Sequence, residues 1–227
     1  MDTRLVASRE GISSPGVAAP SRQIRPVWTD RSPLLIDAYA LAAAAHGTQR
    51  RASDGRYFLQ HVVEVAELLQ RAGCDDELVA VGLLHDAVER GTLGEDELQA
   101  KMGASICALV LTLSEDPKIA SFDRRKARLR HQVESGGGLA ATVYAADKLS
   151  DIRGLRRGIG IYGDQLDYRL GTSVGSMIAH YRESVEMVES VRPGSVFLPA
   201  LRLELERLQA NHSSFEGDRG NRFTGGC

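Results

Sequence analysis

Apolar positions along the chain fall in long blocks broken by short polar or glycine-containing segments, and inside the blocks they recur every three to four residues. Ser32-Pro33 opens the first block as an N-cap followed by proline at the first helical position, and LLIDAYALAAAAH continues it until Gly47. HVVEVAELLQRAG (61–73) places Val62, Val65, Ala66 and Leu69 on one helical face and closes at Gly73. Asp75 or Asp76 caps the next block, ELVAVGLLHDAVE. That run is apolar on every side until His85, which predicts a central buried helix. GEDELQAKMG (94–103) predicts a short helix with an acidic start, and the oily run ASICALVLTLS (104–114) fits strand or helix by composition alone. DRRKARLRHQVE, GLAATVYAADKLSDIRGL, SVGSMIAHYRESVEMVESV and SVFLPALRLELERLQA predict further helices. Val/Ile-rich alternation joined by hairpin turns is missing, and so are internal repeats. The fold class is all-α, a helical bundle.

The two ends read differently. Residues 1–31 are rich in Ser, Pro, Gly and Arg without periodicity, and NHSSFEGDRGNRFTGGC (211–227) resembles them. Both are expected to be flexible tails around a domain spanning 32–210. The chain has 227 residues and is 43% hydrophobic, enough for one packed core. A net charge of −2 and a pI near 6.3 give no global basic field, so no nucleic-acid polymer is expected as a partner. The local basic runs at 123–131 and 153–158 read either as solvated helix faces or as a phosphate-facing rim. Three cysteines, Cys74, Cys107 and Cys227, have no CxxC spacing. That argues against a disulfide framework or zinc knuckle and for a reducing, cytoplasmic setting. No apolar run approaches the roughly 18 residues of a spanning helix, and the N-terminus lacks a signal-peptide core, so no membrane partner is expected.

Chemistry concentrates in three places. His61 starts one helix, His85-Asp86 ends another, and Asp147 lies in AADKLSD behind small and apolar residues. Each alone has an ordinary structural reading: a satisfied histidine, a helix cap, or an aspartate paired with Lys148 or Arg153. A carboxylate among alanines is nevertheless costly unless it is paired, hydrogen-bonded or metal-bound. Two imidazoles with two carboxylates form a mixed set that suits Mn²⁺, Fe²⁺, Co²⁺ or Zn²⁺ better than the oxygen-preferring Ca²⁺ and Mg²⁺. On an octahedral ion, four such ligands leave room for water and a phosphate oxygen.

The ordered segments AAAAHGTQRRASDGRYFLQHVVEVAELL, VAVGLLHDAVERGTLGEDELQAKMGASICALVLTLSED and VYAADKLSDIRGL resemble the HD-domain metal-dependent phosphohydrolases. Within them, the chain is similar to the hydrolase domain of RelA/SpoT-type proteins and to the small alarmone hydrolases, over about residues 33–190. The resemblance implies that His61, His85, Asp86 and Asp147 bind a metal, usually Mn²⁺. It implies that Glu89, the first acid of the family's Glu-Asp pair, orients or activates the attacking water. Arg50 and Arg51 match the basic loop that contacts the nucleotide, with Lys148, Asp151 and Arg153 as further substrate-binding candidates. His46 matches a histidine that is not a ligand and is expected to hold that loop. The implied activity is removal of the 3′-pyrophosphate from (p)ppGpp.

Four positions depart from the family pattern. Arg90 stands where the second acid is expected; a guanidinium cannot act as a base at neutral pH, but it can grip a phosphate and stabilise developing negative charge, a catalytic role. Asp151 stands where the family has asparagine, one helical turn after Asp147, so an Arg90–Asp151 pair is expected to conserve local charge. In RRASDGRYFLQH, Phe58 takes the place of the family's tyrosine and Tyr57 that of its proline. These departures keep two alternatives open: the same chemistry on another nucleotide or phosphate ester, and a nucleotide-binding or sensor module without turnover.

Overall fold

A computed structural model describes the backbone of residues 25–89 and 93–224, with side chains through residue 217. Among the described residues there is no strand, only an isolated antiparallel bridge between Arg50 and Tyr57. The first helix, α1 (Pro33–His46), starts where Ser32 Oγ accepts the Leu35 N–H and stops at Gly47, whose positive φ of 42° turns the chain away. Helix α2 (Phe58–Arg71) buries Val62, Val65, Ala66 and Leu69 completely, the face the spacing predicts. Asp75 caps α3 (Asp76–Leu84), accepting the Leu78 N–H at 2.9 Å.

Helix α3 is the centre of the molecule. It packs against α1, α2, α5 (Ala104–Thr112) and α6 (Phe122–Tyr162), and its residues Leu78 to Leu84 are all buried. Leu83 and Leu84 are wholly inaccessible, each contributing roughly 1.5–3 kcal/mol by area. Their burial anchors the helix end that carries His85. Helix α4 (Glu95–Met102) follows with its acidic first turn, and α5 resolves the ambiguous oily run as helix.

Helix α6 spans the bundle and packs on α2, α8 (Val174–Val191) and α9 (Leu198–Thr224), with α7 (Leu166–Leu170) in the connection. The two helices expected at 123–134 and 138–155 are both present within α6 as two segments that meet at Gly137, where φ is 74° and ψ −161°, a backbone that is not helical. Only glycine adopts that backbone without strain, so Gly137 ends the first helical segment and the second starts directly after it.

Parts of both expected tails are structured. Residues 27–31 form a 3₁₀ turn with Thr29 buried, and α9 continues through the supposed C-terminal tail to Thr224, with Phe215 packed on the core. Residues 1–24 and 225–227 lie outside the described residues. No helix of the described residues is long and apolar enough to cross a membrane.

Gly158 shows how closely α6 meets the loop between α1 and α2. A Cβ there would lie 1.9 Å from the Ser53 carbonyl oxygen. Gly158→Ala is therefore expected to push loop and helix apart and to cost about 1–3 kcal/mol, a fall of about 2–10 °C in thermal midpoint. An unchanged midpoint in thermal unfolding would mean the loop does not rest on α6.

Candidate metal centre

Three helices deliver the donors. His61 sits in the first turn of α2, His85 caps the C-terminus of α3 with Asp86 next in the turn, and Asp147 lies mid-way along α6. Their donor atoms converge. His61 Nε2 is 3.3 Å from Asp147 Oδ1 and 3.8 Å from Asp86 Oδ2; His85 Nε2 is 3.5 Å from each of the same oxygens. Both rings are buried and meet edge to face, with centroids 5.3 Å apart.

These separations are too long for good hydrogen bonds and suit four atoms arranged around a shared cation. His85 Nδ1 donates to the Gly82 carbonyl at 2.9 Å, which turns Nε2 inward; that nitrogen is buried without a hydrogen-bond partner. A buried orphan nitrogen beside two carboxylates and a second imidazole fits a divalent ion of the mixed N/O-preferring kind.

Electrostatics without an ion agree. Burial alone would lower the His85 pKa, but Asp86 and Asp147 outweigh it and push it up to about 9. Burial would raise the Asp147 carboxyl, yet Lys148 and His85 hold it well below the usual carboxylate range. Lys148 Nζ lies 2.7 Å from Asp147 Oδ2 and 2.9 Å from Asp151 Oδ2, and these acids keep its ammonium charged despite burial. Asp147 thus shows one oxygen to the histidines and the other to Lys148.

At neutral pH a metal must displace the His85 proton. Divalent-ion affinity is therefore expected to rise about tenfold per pH unit from near neutrality to about pH 9, with about one proton released per ion bound. Calorimetry in buffers of different ionisation enthalpy measures that proton; no buffer dependence would remove His85 from the ligand set.

Asp86 and Asp147 line a cleft of about 250 Å³, with the two buried histidines behind them. Arg50, Arg51, Lys126 and Lys148 supply its positive charge, and Glu89, Glu115 and Asp151 its remaining acids. Arg51 lies on Gly154, where a Cβ would come within 2.8 Å of the guanidinium, and donates to Asp151 Oδ1 at 2.7 Å. Arg50 is exposed, stacks on Tyr57 and donates to the Gly55 carbonyl. His46 is buried, contacts Gln49 and stacks on Phe58, the loop-holding place expected of it.

Glu89 Oε2 accepts the Glu115 N–H at 3.0 Å, which fixes the carboxylate at the cleft. Arg90 lies outside the described residues, so the expected Arg90–Asp151 pair falls there too. Asp151 is engaged by Arg51 and Lys148. Arg153 is not among the residues lining the cleft; it pairs with Glu64 at 3.3 Å. Its neighbours Arg156 and Arg157 pair with Glu204 and Asp54, so the 153–158 run is structural, whereas the 123–131 run supplies Lys126 to the cleft.

Sequence reasoning passed over Asp54, Glu115, Lys126 and Tyr181. The Asp54 side chain is fully enclosed and ties the loop between α1 and α2 to α6 through Arg157. Glu115 holds Arg125 and Lys126, and these cations outweigh burial to lower its pKa. SDG and SED were the local signals, but their partners lie on distant segments.

A model of the HD domain matches residues 38–157. The human guanosine-3′,5′-bis(diphosphate) 3′-pyrophosphohydrolase MESH1 is 33% identical over 126 residues, 54% of this chain and 70% of that protein. A Brucella ovis GTP pyrophosphokinase is 38% identical over 86 residues, 38% of this chain and 11% of its own length. The solved structure of a metazoan SpoT ortholog superposes with a TM-score of 0.62 at 22% identity, covering 80% of this chain and 96% of that one, a likeness of fold.

Proposed function

The chain belongs to the HD-domain family, and we propose on that footing that it is a metal-dependent phosphohydrolase that removes the 3′-pyrophosphate from (p)ppGpp. The observation that carries this reading is the convergence of His61, His85, Asp86 and Asp147 beside a cleft that the two aspartates line together with four cationic side chains. The relation to human MESH1 supplies the substrate class.

These four residues would hold a divalent ion, Mn²⁺ by family resemblance, which when bound would supply Lewis-acid chemistry toward water and the phosphate. Glu89 takes up the proton of the attacking water, its carboxylate held in place by the Glu115 N–H. Arg50, Arg51 and Lys148 offset the charge of the diphosphate. Arg90 stands in the sequence where the family carries an acid. A cytoplasmic setting belongs to the same reading and is supported by Cys74 and Cys107 being free thiols.

Asp151 favours a second reading. Its carboxylate already neutralises part of the charge on Arg51 and Lys148, which weakens the cleft's preference for a highly anionic substrate. The same chemistry would then act on another nucleotide or phosphate ester. Product analysis separates the two. Protein with Mn²⁺ should convert ppGpp to GDP and pyrophosphate in equal amounts; survival of ppGpp while another nucleotide in a panel is consumed selects the second reading.

A further inference from the structure

His61 and His85 present the same ring nitrogen to the candidate metal centre, but their outer nitrogens are anchored differently. His85 relies on the main chain, through the Gly82 carbonyl. His61 relies on side chains. Its Nδ1 lies 3.0 Å from Ser150 Oγ on α6, and the Ser150 hydroxyl lies 3.0 Å from Glu64 Oε2, one turn further along α2. The other oxygen of Glu64 accepts from Arg153 Nη1 at 3.3 Å. Ser150 is completely buried, so the order of donors along this line is internal to the protein.

Counting protons fixes that order. A carboxylate only accepts, so the Ser150 hydroxyl donates to Glu64. The hydroxyl has then used its one proton and can only accept from His61. Nδ1 of His61 must carry the hydrogen, which leaves Nε2, facing Asp147 and Asp86, as the nitrogen available to an ion.

We propose that Ser150 and Glu64 are positioning residues that lock His61 in the Nδ1–H tautomer and thereby set its strength as a metal ligand. Arg153 completes the line by holding Glu64, which accounts for its absence from the cleft lining. Metal-ligating imidazoles depend on such outer partners for orientation and basicity, and losing one typically weakens metal binding about 10–100-fold. This inference rests on the metal-centre reading, so its test pairs one readout that needs the ion with one that does not.

Ser150→Ala removes the hydroxyl at little steric cost, and Glu64→Gln keeps the shape while allowing the amide to donate to Ser150. Long-range nitrogen–proton correlation spectra of metal-free protein report the tautomer, and Mn²⁺ titration calorimetry reports affinity. Wild-type His61 should be the Nδ1–H form. Ser150→Ala should lose that preference and bind Mn²⁺ about 10–100-fold more weakly, with Glu64→Gln giving a mixed tautomer and a smaller loss. Two folded variants that keep the Nδ1–H form and wild-type affinity would overturn the proposal. Wild-type protein that binds no Mn²⁺ would overturn the metal-centre reading and the affinity half of this one, while the spectra still decide whether the relay sets the tautomer.

Discussion

His85→Ala protein is expected to fold, to bind Mn²⁺ far more weakly, and to lose at least about 10³-fold in kcat/KM. Stabilisation by a Lewis acid is worth several kcal/mol, and each 1.4 kcal/mol is tenfold in rate. Folding survives because the ring sits at the helix terminus, and Asp147 stays paired with Lys148 without it. The Leu83 and Leu84 anchors are untouched. Metal content and turnover, measured on the same preparation, check this. Activity within tenfold of wild type would remove His85 from the centre.

Glu89→Gln carries the second-largest effect and a different signature. The glutamine oxygen can still accept the Glu115 N–H, so the side chain keeps its place and only its capacity to take a proton is lost. A fall of about 10²–10⁴-fold in kcat is expected, with Mn²⁺ affinity close to wild type because Glu89 is not one of the converging donors. Steady-state kinetics with a parallel metal titration separate the two variants. An unchanged kcat would place proton transfer elsewhere; a large loss of metal binding would make Glu89 a ligand.

Much of this arrangement was legible because local signals coincide with tertiary roles. Ser32-Pro33 and Gly47 bound α1 as their chemistry predicts, and the all-round apolar character of α3 announces its central place. His85-Asp86 stands out because a polar pair follows a run with no solvent face. What stayed hidden depends on partners far along the chain. Arg153 reads as a phosphate ligand until Glu64, on another helix, accounts for it. Lys126 and Glu115 reach the cleft only because α6 folds back over the α5 end. The polar segment after residue 210 reads as a tail, but it extends an already formed helix and seats Phe215 on the core.

The most direct test is a crystal grown with Mn²⁺ and measured for the ion's anomalous scattering. The account predicts one strong peak within bonding distance of Nε2 of His61 and His85 and of carboxylate oxygens of Asp86 and Asp147. A peak bound elsewhere, or a centre left without one at saturating Mn²⁺, would contradict it.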